Sequence, residues 1–276
     1  MKIWFITGAS RGLGAAFARA ALESGDCVVA TSRRADDVTK ALGTHEGLLA
    51  FTLDVTKRQD SERAVDAALK RFGRLDVLVN NAGYGVAGAL EECSTEETLA
   101  QFQTNVFGLL DVTKAVLPVM RAQRSGHIVN ISSVGGFFAG AGVSAYCATK
   151  FAVEGFSEAL AKEVAPLGIH VTIVEPGYFR TDLLADYALK FAMREIEDYA
   201  ATSGAVRKAI PAMHGKQPGD PRKLALALVR LVGESKPPLR FLAGGDAVQV
   251  REQTLNALRE ELEEWRELST SLAYEE

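Results

Sequence analysis

The alternation of short apolar runs with longer amphipathic segments is the feature that most constrains the fold of this chain. The runs are apolar throughout instead of alternating between apolar and polar residues, which is typical of strands covered on both sheet faces. Repeated strand-helix-strand units predict a parallel sheet with right-handed crossovers. We therefore predict a three-layer, doubly wound α/β sheet of Rossmann type in a single domain. The predicted strands are KIWFIT, CVVATS, LLAFTLDV, LDVLVNNAG, GHIVNISS, IHVTIVEPG and LRFLAGG.

Two segments interrupt this rhythm. Residues 178 to 220 carry aromatic, Met, Gly and Pro residues with no sheet pattern, and a long excursion of this kind predicts a substrate lid within a domain of residues 1–245. Residues 246–276 predict an amphipathic helix packed on the same domain. Its apolar positions at helical spacing are Leu255, Leu258, Leu262 and Trp265.

Composition excludes several classes of protein. The 276 residues include 31 basic and 35 acidic side chains, a net charge of −4, which gives no electrostatic basis for nucleic-acid binding. No stretch approaches the roughly 18 to 20 apolar residues that span a membrane, and the start MKIWFITGAS lacks signal-peptide features. The three cysteines and four histidines are scattered, so we expect no disulfide, no metal site and a cytoplasmic location.

The segment TGASRGLG joins the first strand to the first helix and predicts a phosphate site. Its glycines are Gly8, Gly12 and Gly14. Glycine permits a sharp turn, lets a pyrophosphate approach the backbone and lets the helix pack closely on the sheet, while the helix N-terminus offers N–H groups to phosphates. Glycines in a tight turn without any ligand are the alternative, which the flanking strand and helix disfavour.

The second strand ends with features that favour NADP(H) over NAD(H). A carboxylate here would bind both ribose hydroxyls, but the chain has Ser32 followed by Arg33, with Arg11 in the glycine turn. Guanidinium groups suit a 2′-phosphate, although the same arginines could be solvated surface charges. Asp54 and Val55 close the third strand, where the adenine ring could lie.

Tyr146 and Lys150 are four residues apart and therefore share a helix face. A neighbouring cation favours the phenolate, so this pair predicts a proton donor and acceptor near neutral pH. Such a pair also arises by chance on a helix surface. However, Ser133 lies thirteen residues before Tyr146 at a strand end, and most other polar signals also follow strands. Parallel sheets bind their ligands at these carboxyl ends.

These pieces together resemble the short-chain dehydrogenase/reductase family in its single-domain form. The matching residues are TGASRGLG, NNAG at residues 80 to 83, Asn105, ISS with Ser133, YCATK, and PG with Thr181, over roughly residues 3 to 182. The resemblance implies that Tyr146 is the catalytic acid and base, assisted by Lys150, that Ser133 binds the carbonyl oxygen, and that Asn105 completes a proton relay. A weaker similarity to bacterial relatives of the hydroxysteroid dehydrogenases does not establish a steroid substrate.

Motifs and resemblance together define the residues expected at the cofactor. This set is Gly8, Ser10, Arg11, Gly12, Leu13, Gly14, Ser32, Arg33, Asp54, Val55, Asn81, Ala82, Gly83, Tyr146, Lys150, Pro176, Gly177 and Thr181. The resemblance further implies a homodimer or homotetramer that uses the helix from Tyr146 and the long helix before it.

Apolar side chains around the predicted site favour a hydrophobic carbonyl or secondary alcohol as substrate. They are Phe137, Phe138, Val143, Tyr178, Leu184, Tyr187, Phe191 and Met193. Three alternatives to an NADP(H)-dependent reductase remain open: an NAD(H)-dependent alcohol dehydrogenase, a cofactor-sensing binding protein of the same fold, and an enzyme of non-redox chemistry such as epimerisation.

Overall fold

A computed structural model of the protein describes residues 1–181 and 189–274. Seven parallel strands form the central sheet in the order β3-β2-β1-β4-β6-β7-β9, and β5 pairs with β8 in a separate parallel ribbon. The Rossmann-type prediction is confirmed. The strands are β1 (Ile3–Ile6), β2 (Cys27–Ser32), β3 (Leu48–Thr52), β4 (Val77–Asn80), β5 (Gly85–Ala87), β6 (Gly126–Ile131), β7 (Ile169–Pro176), β8 (Leu189–Phe191) and β9 (Arg240–Ala243).

Helices cover both faces of this sheet. They are α1 (Gly12–Glu23), α2 (Ala35–Leu42), α3 (Arg58–Phe72), α4 (Thr95–Phe102), α5 (Leu109–Gln123), α6 (Ser144–Val164), α7 (Ser203–Met213), α8 (Pro221–Gly233) and α9 (Gly245–Thr270). In the described part of the chain, no helix is long and apolar enough to cross a lipid bilayer.

The continuous apolar character of β1 follows from its position between two cores. Trp4 and Ile6 pack into one core with α1 and α8, whereas Ile3 and Phe5 pack into the other with α3 and α5. All four side chains are buried, and each burial contributes roughly 1.5 to 3 kcal/mol. Because side chains alternate between faces, a strand with two buried faces needs apolar residues at every position.

The strand order reverses between β1 and β4, since the chain moves outward to β3 and then returns to the other side of β1. A cleft opens at such a reversal, outside the carboxyl ends of the strands. The glycine turn after β1 and the segment after β4 both lie at this edge. The fold therefore brings the predicted site residues to one end of the sheet.

The predicted lid region is partly described. Leu184 and Tyr187 lie outside the described residues. Beyond them, β8 pairs with β5, and Met193 and Ile196 donate backbone hydrogen bonds to Glu97 (3.1 Å) and Glu92 (3.0 Å). The described part of this segment is thus bound to the chain that follows β4.

The C-terminal helix differs from the prediction that it packs on the same domain. Its first turns do so, with Ala247 buried, but the face with the predicted apolar spacing is uncovered. Leu255, Leu258, Leu262 and Trp265 are each 54% to 56% exposed. Twenty-six helical residues extend about 39 Å, so the helix continues beyond the surface that its start contacts.

Candidate active site

The glycine turn is built by close contact between β1 and the end of β4. Gly8 and Gly12 have φ angles of +66° and +55°, which favour glycine. A Cβ on Gly14 would lie 2.3 Å from Gly8 O. Asn81 Nδ2 donates to Thr7 O (2.9 Å) and to Gly8 O (3.1 Å), which holds the turn in place. The backbone here is shaped for close approach by a ligand.

A cleft of about 320 Å³ adjoins the N-terminus of α1. It brings together two predicted residues, Gly12 and Thr181, and a Cβ on Gly12 would lie 3.7 Å from Thr181 Cβ. Ser10 and Arg11 belong to the same turn. Arg11 is the N-cap residue of α1, and Leu13 is the second residue of that helix. The first N–H groups of a helix have no partner within the helix, so this cleft fits a pyrophosphate.

Two further residues of this cleft were missed by the sequence analysis of the cofactor site. Arg180 and His214 line it together with Gly215 and Pro221. The only signal for Arg180 was its position directly before Thr181. His214 is remote in sequence and follows α7, in the connection to α8, which packs against α1.

The ends of β2 and β3 position the residues predicted for the adenosine. Ser32 Oγ donates to Arg34 O at 2.6 Å and accepts from Arg34 N at 3.3 Å, so this hydroxyl closes its own turn. Arg33 is exposed, whereas Arg34 forms an ion pair with Asp37 at 3.1 Å. Both guanidinium groups are exposed here, and among the described residues Arg33 has no ion pair of the kind that Arg34 forms.

After β3, the two residues predicted to lie near the adenine, Asp54 and Val55, contact other residues of the chain. Asp54 Oδ1 accepts hydrogen bonds from Thr56 N (3.1 Å) and Thr56 Oγ1 (2.8 Å). Val55 is buried, and a Cβ on Gly108 would lie 2.8 Å from Val55 Cγ2. Asp54 thus stabilises a turn, and Val55 packs against the helix that carries Asn105.

Asn105 lies in a π-helical segment, Gln103–Gly108, between α4 and α5. The sequence predicted one regular helix here, because a widened turn leaves no periodicity signal. Asn105 Oδ1 accepts from Tyr84 N at 3.0 Å, and Nδ2 donates to Tyr84 O at 2.8 Å. Its Nδ2 also donates to Thr149 Oγ1 at 3.1 Å. Asn105 therefore joins the segment after β4 to α6, and π-helical turns are frequent at functional sites.

Tyr146 and Lys150 meet Ser133 beside this junction. The Ser133 hydroxyl lies close enough to Tyr146 to act on the phenol, and Ser133 Oγ accepts a hydrogen bond from Gly135 N at 3.1 Å. Lys150 Nζ lies 5.8 Å from the centre of the Tyr146 ring and donates to Ile131 O at 2.8 Å. The structure thus gathers on α6 and the end of β6 the three side chains predicted to act on the substrate.

Small residues allow this close arrangement. A Cβ on Gly83 would lie 3.1 Å from Asn105 Oδ1 and 4.0 Å from Lys150 Nζ. A Cβ on Gly135 would lie 3.2 Å from Tyr146 Cε1. Ala82 N, one residue before Gly83, donates to the Thr7 hydroxyl at 3.0 Å.

The two neighbouring serines have different environments. Ser133 meets Tyr146, as the thirteen-residue spacing predicted. Ser132 is buried, and within the described residues its Oγ has no hydrogen-bond partner.

Burial dominates the ionisation of the central pair. It raises the pKa of Tyr146 to about 12, against a lowering contribution from the hydrogen bond with Ser133. Burial also lowers the pKa of Lys150 to about 8, while the charge of Glu154 acts to raise it. The chain by itself therefore does not lower the pKa of Tyr146, in contrast to the expectation from the sequence. The reason is that desolvation of the phenolate outweighs the attraction of a lysine that is itself desolvated.

The end of β7 is tied to the start of α9. A Cβ on Gly177 would lie 2.2 Å from Asp246 Oδ1, and Asp246 Oδ2 accepts from Tyr178 N at 2.7 Å. Asp246 was missed by the sequence analysis, since nothing in its local pattern points to β7. Pro176 is buried next to this contact.

Two of the predicted wall residues stack against arginines. Phe137 packs under the Arg251 guanidinium, whose carbon is 3.5 Å from the ring centre, and Phe191 packs under Arg207 at 5.1 Å. Stacking of arginine on an aromatic face is favourable. Met193 is 94% exposed.

One apolar residue near Tyr146 was not predicted from the sequence. A Cβ on Gly85 would lie 2.6 Å from Leu189 Cδ1 and 3.5 Å from Tyr146 Cδ2, so Leu189 and Tyr146 border the same space. Val143 pairs with Gly88 in an isolated β-bridge, and Phe138 and Tyr178 are 48% and 49% exposed.

Known proteins are similar to this chain in both sequence and fold. The family model described as short chain dehydrogenase matches residues 2–190. Over 274 residues the chain is 42% identical to the protein named oxidoreductase BOA17 of Botryotinia fuckeliana, covering 99% of each chain. Over 244 residues it is 40% identical to the 3-ketodihydrosphingosine reductase of Bacteroides thetaiotaomicron, covering 88% of each chain.

Solved structures give the same result. A short-chain dehydrogenase from Streptomyces avermitilis superimposes with a TM-score of 0.92 at 43% identity, covering 99% of this chain and 100% of that one. A Burkholderia phymatum protein solved in complex with NAD has a TM-score of 0.81 at 25% identity, covering 96% and 95%. ElxO, solved with NADP bound, has a TM-score of 0.74 at 28% identity, covering 90% and 99%.

Proposed function

Since this chain belongs to the short-chain dehydrogenase family and is an oxidoreductase of that family, we propose that it transfers hydride between NADP(H) and a hydrophobic carbonyl or secondary alcohol. The observation that carries this proposal is the meeting of Ser133, Tyr146 and Lys150 next to the glycine turn. A nicotinamide cofactor is supported by the neighbours solved with NAD and with NADP. When bound, it supplies the hydride for reduction or accepts it in oxidation.

The chain's own residues handle the proton and the substrate oxygen. Tyr146 donates its phenolic proton to the oxygen during reduction and takes it back during oxidation. Ser133, next to Tyr146, binds the same oxygen and favours its developing negative charge. Lys150 supplies positive charge to Tyr146, and Asn105 holds the backbone of Tyr84 beside them.

The preference for NADP(H) is supported by the exposed Arg33 and by Ser32, which stands where a carboxylate would favour NAD(H). Its test is a fluorescence titration of the purified protein with NADPH and NADH. We expect at least tenfold tighter binding of NADPH, about 1.4 kcal/mol. Arg33→Ala should weaken NADPH binding far more than NADH binding, because only NADPH carries the 2′-phosphate.

Arg34→Ala is the matched control for this experiment, because Arg34 is equally charged but paired with Asp37. It should leave the preference unchanged. Equal losses of NADPH and NADH binding in Arg33→Ala, or a wild-type preference for NADH, would contradict the NADP(H) assignment and favour an NAD(H)-dependent alcohol dehydrogenase.

The substrate is proposed to be a hydrophobic ketone. Leu189 and Val143 near Tyr146 give an apolar wall, and one relative is named as a reductase of a keto compound. The test is NADPH oxidation over a panel of ketones of increasing chain length, with Tyr146→Phe as the control. No Tyr146-dependent turnover by any ketone or secondary alcohol would reject the proposed activity.

We also propose that copies of the chain associate through α6 and the long helical segment before it, as a homodimer or homotetramer. This segment comprises α4, the π-helical turn and α5. Large apolar side chains are 47% to 61% exposed on α6, α4 and the π-helical turn, which supports an interface there. They are Leu99, Phe107, Phe151 and Phe156. The mass in solution, measured by light scattering, tests this proposal.

The lid and the cellular location are proposed on similar grounds. Residues 178 to 220 are proposed as a substrate lid within the domain of residues 1–245, supported by the pairing of β8 with β5 next to Tyr146. The three free cysteines support a reducing cytoplasm.

A further inference from the structure

A group of buried charges adjoins Lys150, and the roles proposed above do not use it. Glu154 follows Lys150 by one helical turn on α6, and Glu175 precedes Pro176 at the end of β7. The Glu154 and Glu175 side chains are only 10% and 0% exposed. Carboxyl groups are buried to this degree only when they are paired.

Two arginines from the last part of the chain approach these carboxyl groups. Arg240 on β9 places Nε 3.3 Å from Glu154 Oε2 and 3.9 Å from Glu175 Oε1. Its Nη2 donates to the more exposed Glu158 at 2.7 Å. Arg251 on α9 donates to Glu175 Oε1. Glu175 therefore connects the sheet to the C-terminal helix.

The same arginine reaches the segment after Ser133. The Arg251 guanidinium lies over Phe137, with its carbon 3.5 Å from the ring centre. Phe137 directly follows the short 3-10 turn that Ser133 caps. A contact chain thus leads from Glu175 through Arg251 and Phe137 to the turn that orients Ser133.

The carboxyl oxygens are incompletely hydrogen-bonded. Within the described residues, both oxygens of Glu154 and Oε2 of Glu175 make no hydrogen bond, although Arg240 Nε forms an ion pair with Glu154 Oε2 at 3.3 Å. A Cβ on Gly136 would lie 2.5 Å from Ser132 Oγ and 3.0 Å from Glu154 Oε1, so Ser132 and Glu154 border the same small space. Buried carboxylate oxygens without a hydrogen bond are costly in free energy.

A proton shared by the two carboxyl groups would relieve this arrangement. Two ionised carboxylates beside one arginine repel each other, whereas one proton between them removes the repulsion and supplies a donor. Burial, and after it the charge of Glu154, raise the pKa of Glu175 to about 7, while Arg251 and Arg240 act to lower it. Arg240 Nε, 3.3 Å from Glu154 Oε2 and 3.9 Å from Glu175 Oε1, holds the two carboxyl groups next to each other.

We propose that Glu154 and Glu175 form a proton-sharing carboxyl pair that positions the active site. The charge of Glu154 favours the protonated form of Lys150, and Glu175 anchors Arg251 and thereby the turn of Ser133. Both are positioning residues, because they act through Lys150 and Arg251 and are not among the side chains proposed to bind the substrate. The proposal rests on the proposed function for its catalytic consequence, but its physical content can be measured without turnover.

The charges facing the pair come from each element packed around it. From α6, β9 and α9 they are Lys150, Glu158, Arg240 and Arg251. Three cations and three carboxyl groups, the pair included, meet here. Burial favours the neutral form of Lys150, and the charge of Glu154 opposes this effect, so removing that charge should increase the neutral fraction.

The experiment measures the ionisation of Lys150 in the cofactor-free protein. Lysine amines are labelled with acetic anhydride from pH 6 to 10, and each peptide is quantified by mass spectrometry. The exposed Lys162 on the same helix serves as the internal reference. In Glu154→Gln, Lys150 should be labelled at least about threefold more at pH 7 than in the wild type, since half a pKa unit changes the neutral fraction by that factor.

Glu158→Gln is the matched control, because Glu158 also binds Arg240 but lies one turn farther from Lys150. It should leave Lys150 labelling unchanged. Equal labelling of Lys150 in wild type and Glu154→Gln, or the same increase in Glu158→Gln, would overturn the role of Glu154. Circular dichroism of each variant verifies folding; if Glu154→Gln does not fold, Glu154→Ala with the same readout takes its place.

A second variant tests the shared proton. A group with a raised folded-state pKa stabilises the fold at low pH and loses that contribution as the pH rises through this pKa. The wild type should therefore lose unfolding free energy relative to Glu175→Gln between pH 5 and 8, because Gln resembles the protonated carboxyl. An unchanged difference over this range would overturn proton sharing. Lack of turnover would reject the proposed function and leave both of these results intact.

Discussion

Replacing Lys150 by methionine is expected to abolish the proposed activity and to stabilise the cofactor-free protein. Burial lowers the pKa of Lys150 from 10.5 to about 8. One pKa unit corresponds to about 1.4 kcal/mol, so below pH 8 the buried ammonium costs roughly 3 kcal/mol of folding free energy. Loss of the hydrogen bond to Ile131 O offsets about 1 kcal/mol of this gain. The net stabilisation at pH 7 is about 2 kcal/mol.

The sign of the effect depends on pH. Because the folded-state pKa lies below the ordinary value, the cost is complete below pH 8 and is relieved as the pH rises toward 10.5. The advantage of Lys150→Met should therefore be largest at pH 7 and close to zero at pH 10. Urea unfolding of both proteins at these two pH values, monitored by tryptophan fluorescence, measures it.

Lys162→Met provides the control, since Lys162 is exposed on the same helix and pairs with Glu158 at 3.1 Å. We expect it to change stability by less than about 0.5 kcal/mol at either pH. A Lys150→Met protein that is less stable than the wild type at pH 7, or equally stabilised at both pH values, would refute the reasoning from desolvation.

Three further predictions concern the turn, the sheet and the lid segment. Gly14→Ala places a Cβ 2.3 Å from a carbonyl oxygen, so it should lower the free energy of unfolding by about 1–3 kcal/mol or more and abolish NADPH binding. Its control, Gly155→Ala, meets nothing within 4 Å and should stabilise α6 by up to about 1 kcal/mol in thermal unfolding. Burial lowers the pKa of His127 to about 3, so the fold loses stability as the pH falls below 6.5, and His127→Gln should lose less between pH 7 and 4.5 in urea unfolding. Hydrogen bonds from backbone N–H groups, the largest from Ile196, lower the pKa of the buried Glu92. Glu92→Gln should therefore increase amide hydrogen exchange around Ile196 at pH 7. The difference from the wild type should shrink in acid, where the wild-type carboxylate becomes protonated.

The outcome for individual residues shows how far sequence patterns reach. Gly8, Gly12 and Gly14 could be assigned because a strand, a glycine turn and a helix are adjacent in the chain, and local geometry follows from local sequence. The spacing from Ser133 to Tyr146 likewise favours Ser133 over Ser132, and the role of Ser133 stays a prediction. In contrast, Asp246 and His214 reach the site from distant segments, and no local signal identifies them.

Apolar patterning predicted elements more reliably than it predicted their partners. Leu255 to Trp265 have helical spacing, and a helix is present, yet its apolar face is uncovered in this chain. Phe137 and Phe191 were expected to line a pocket, but each packs under an arginine. Periodicity records which face of an element is apolar, but it contains no information about the side chain that meets this face.

The sequence by itself determined the fold class, the order of the elements and the central residues of the candidate site, because these depend on short-range periodicity and on motifs within single turns. Only the tertiary structure decided the electrostatics. The pKa of Lys150 and the pairing of Glu154 with Glu175 depend on desolvation and on charges from four elements. Desolvation is a property of the assembled interior, and no single segment of the chain carries it.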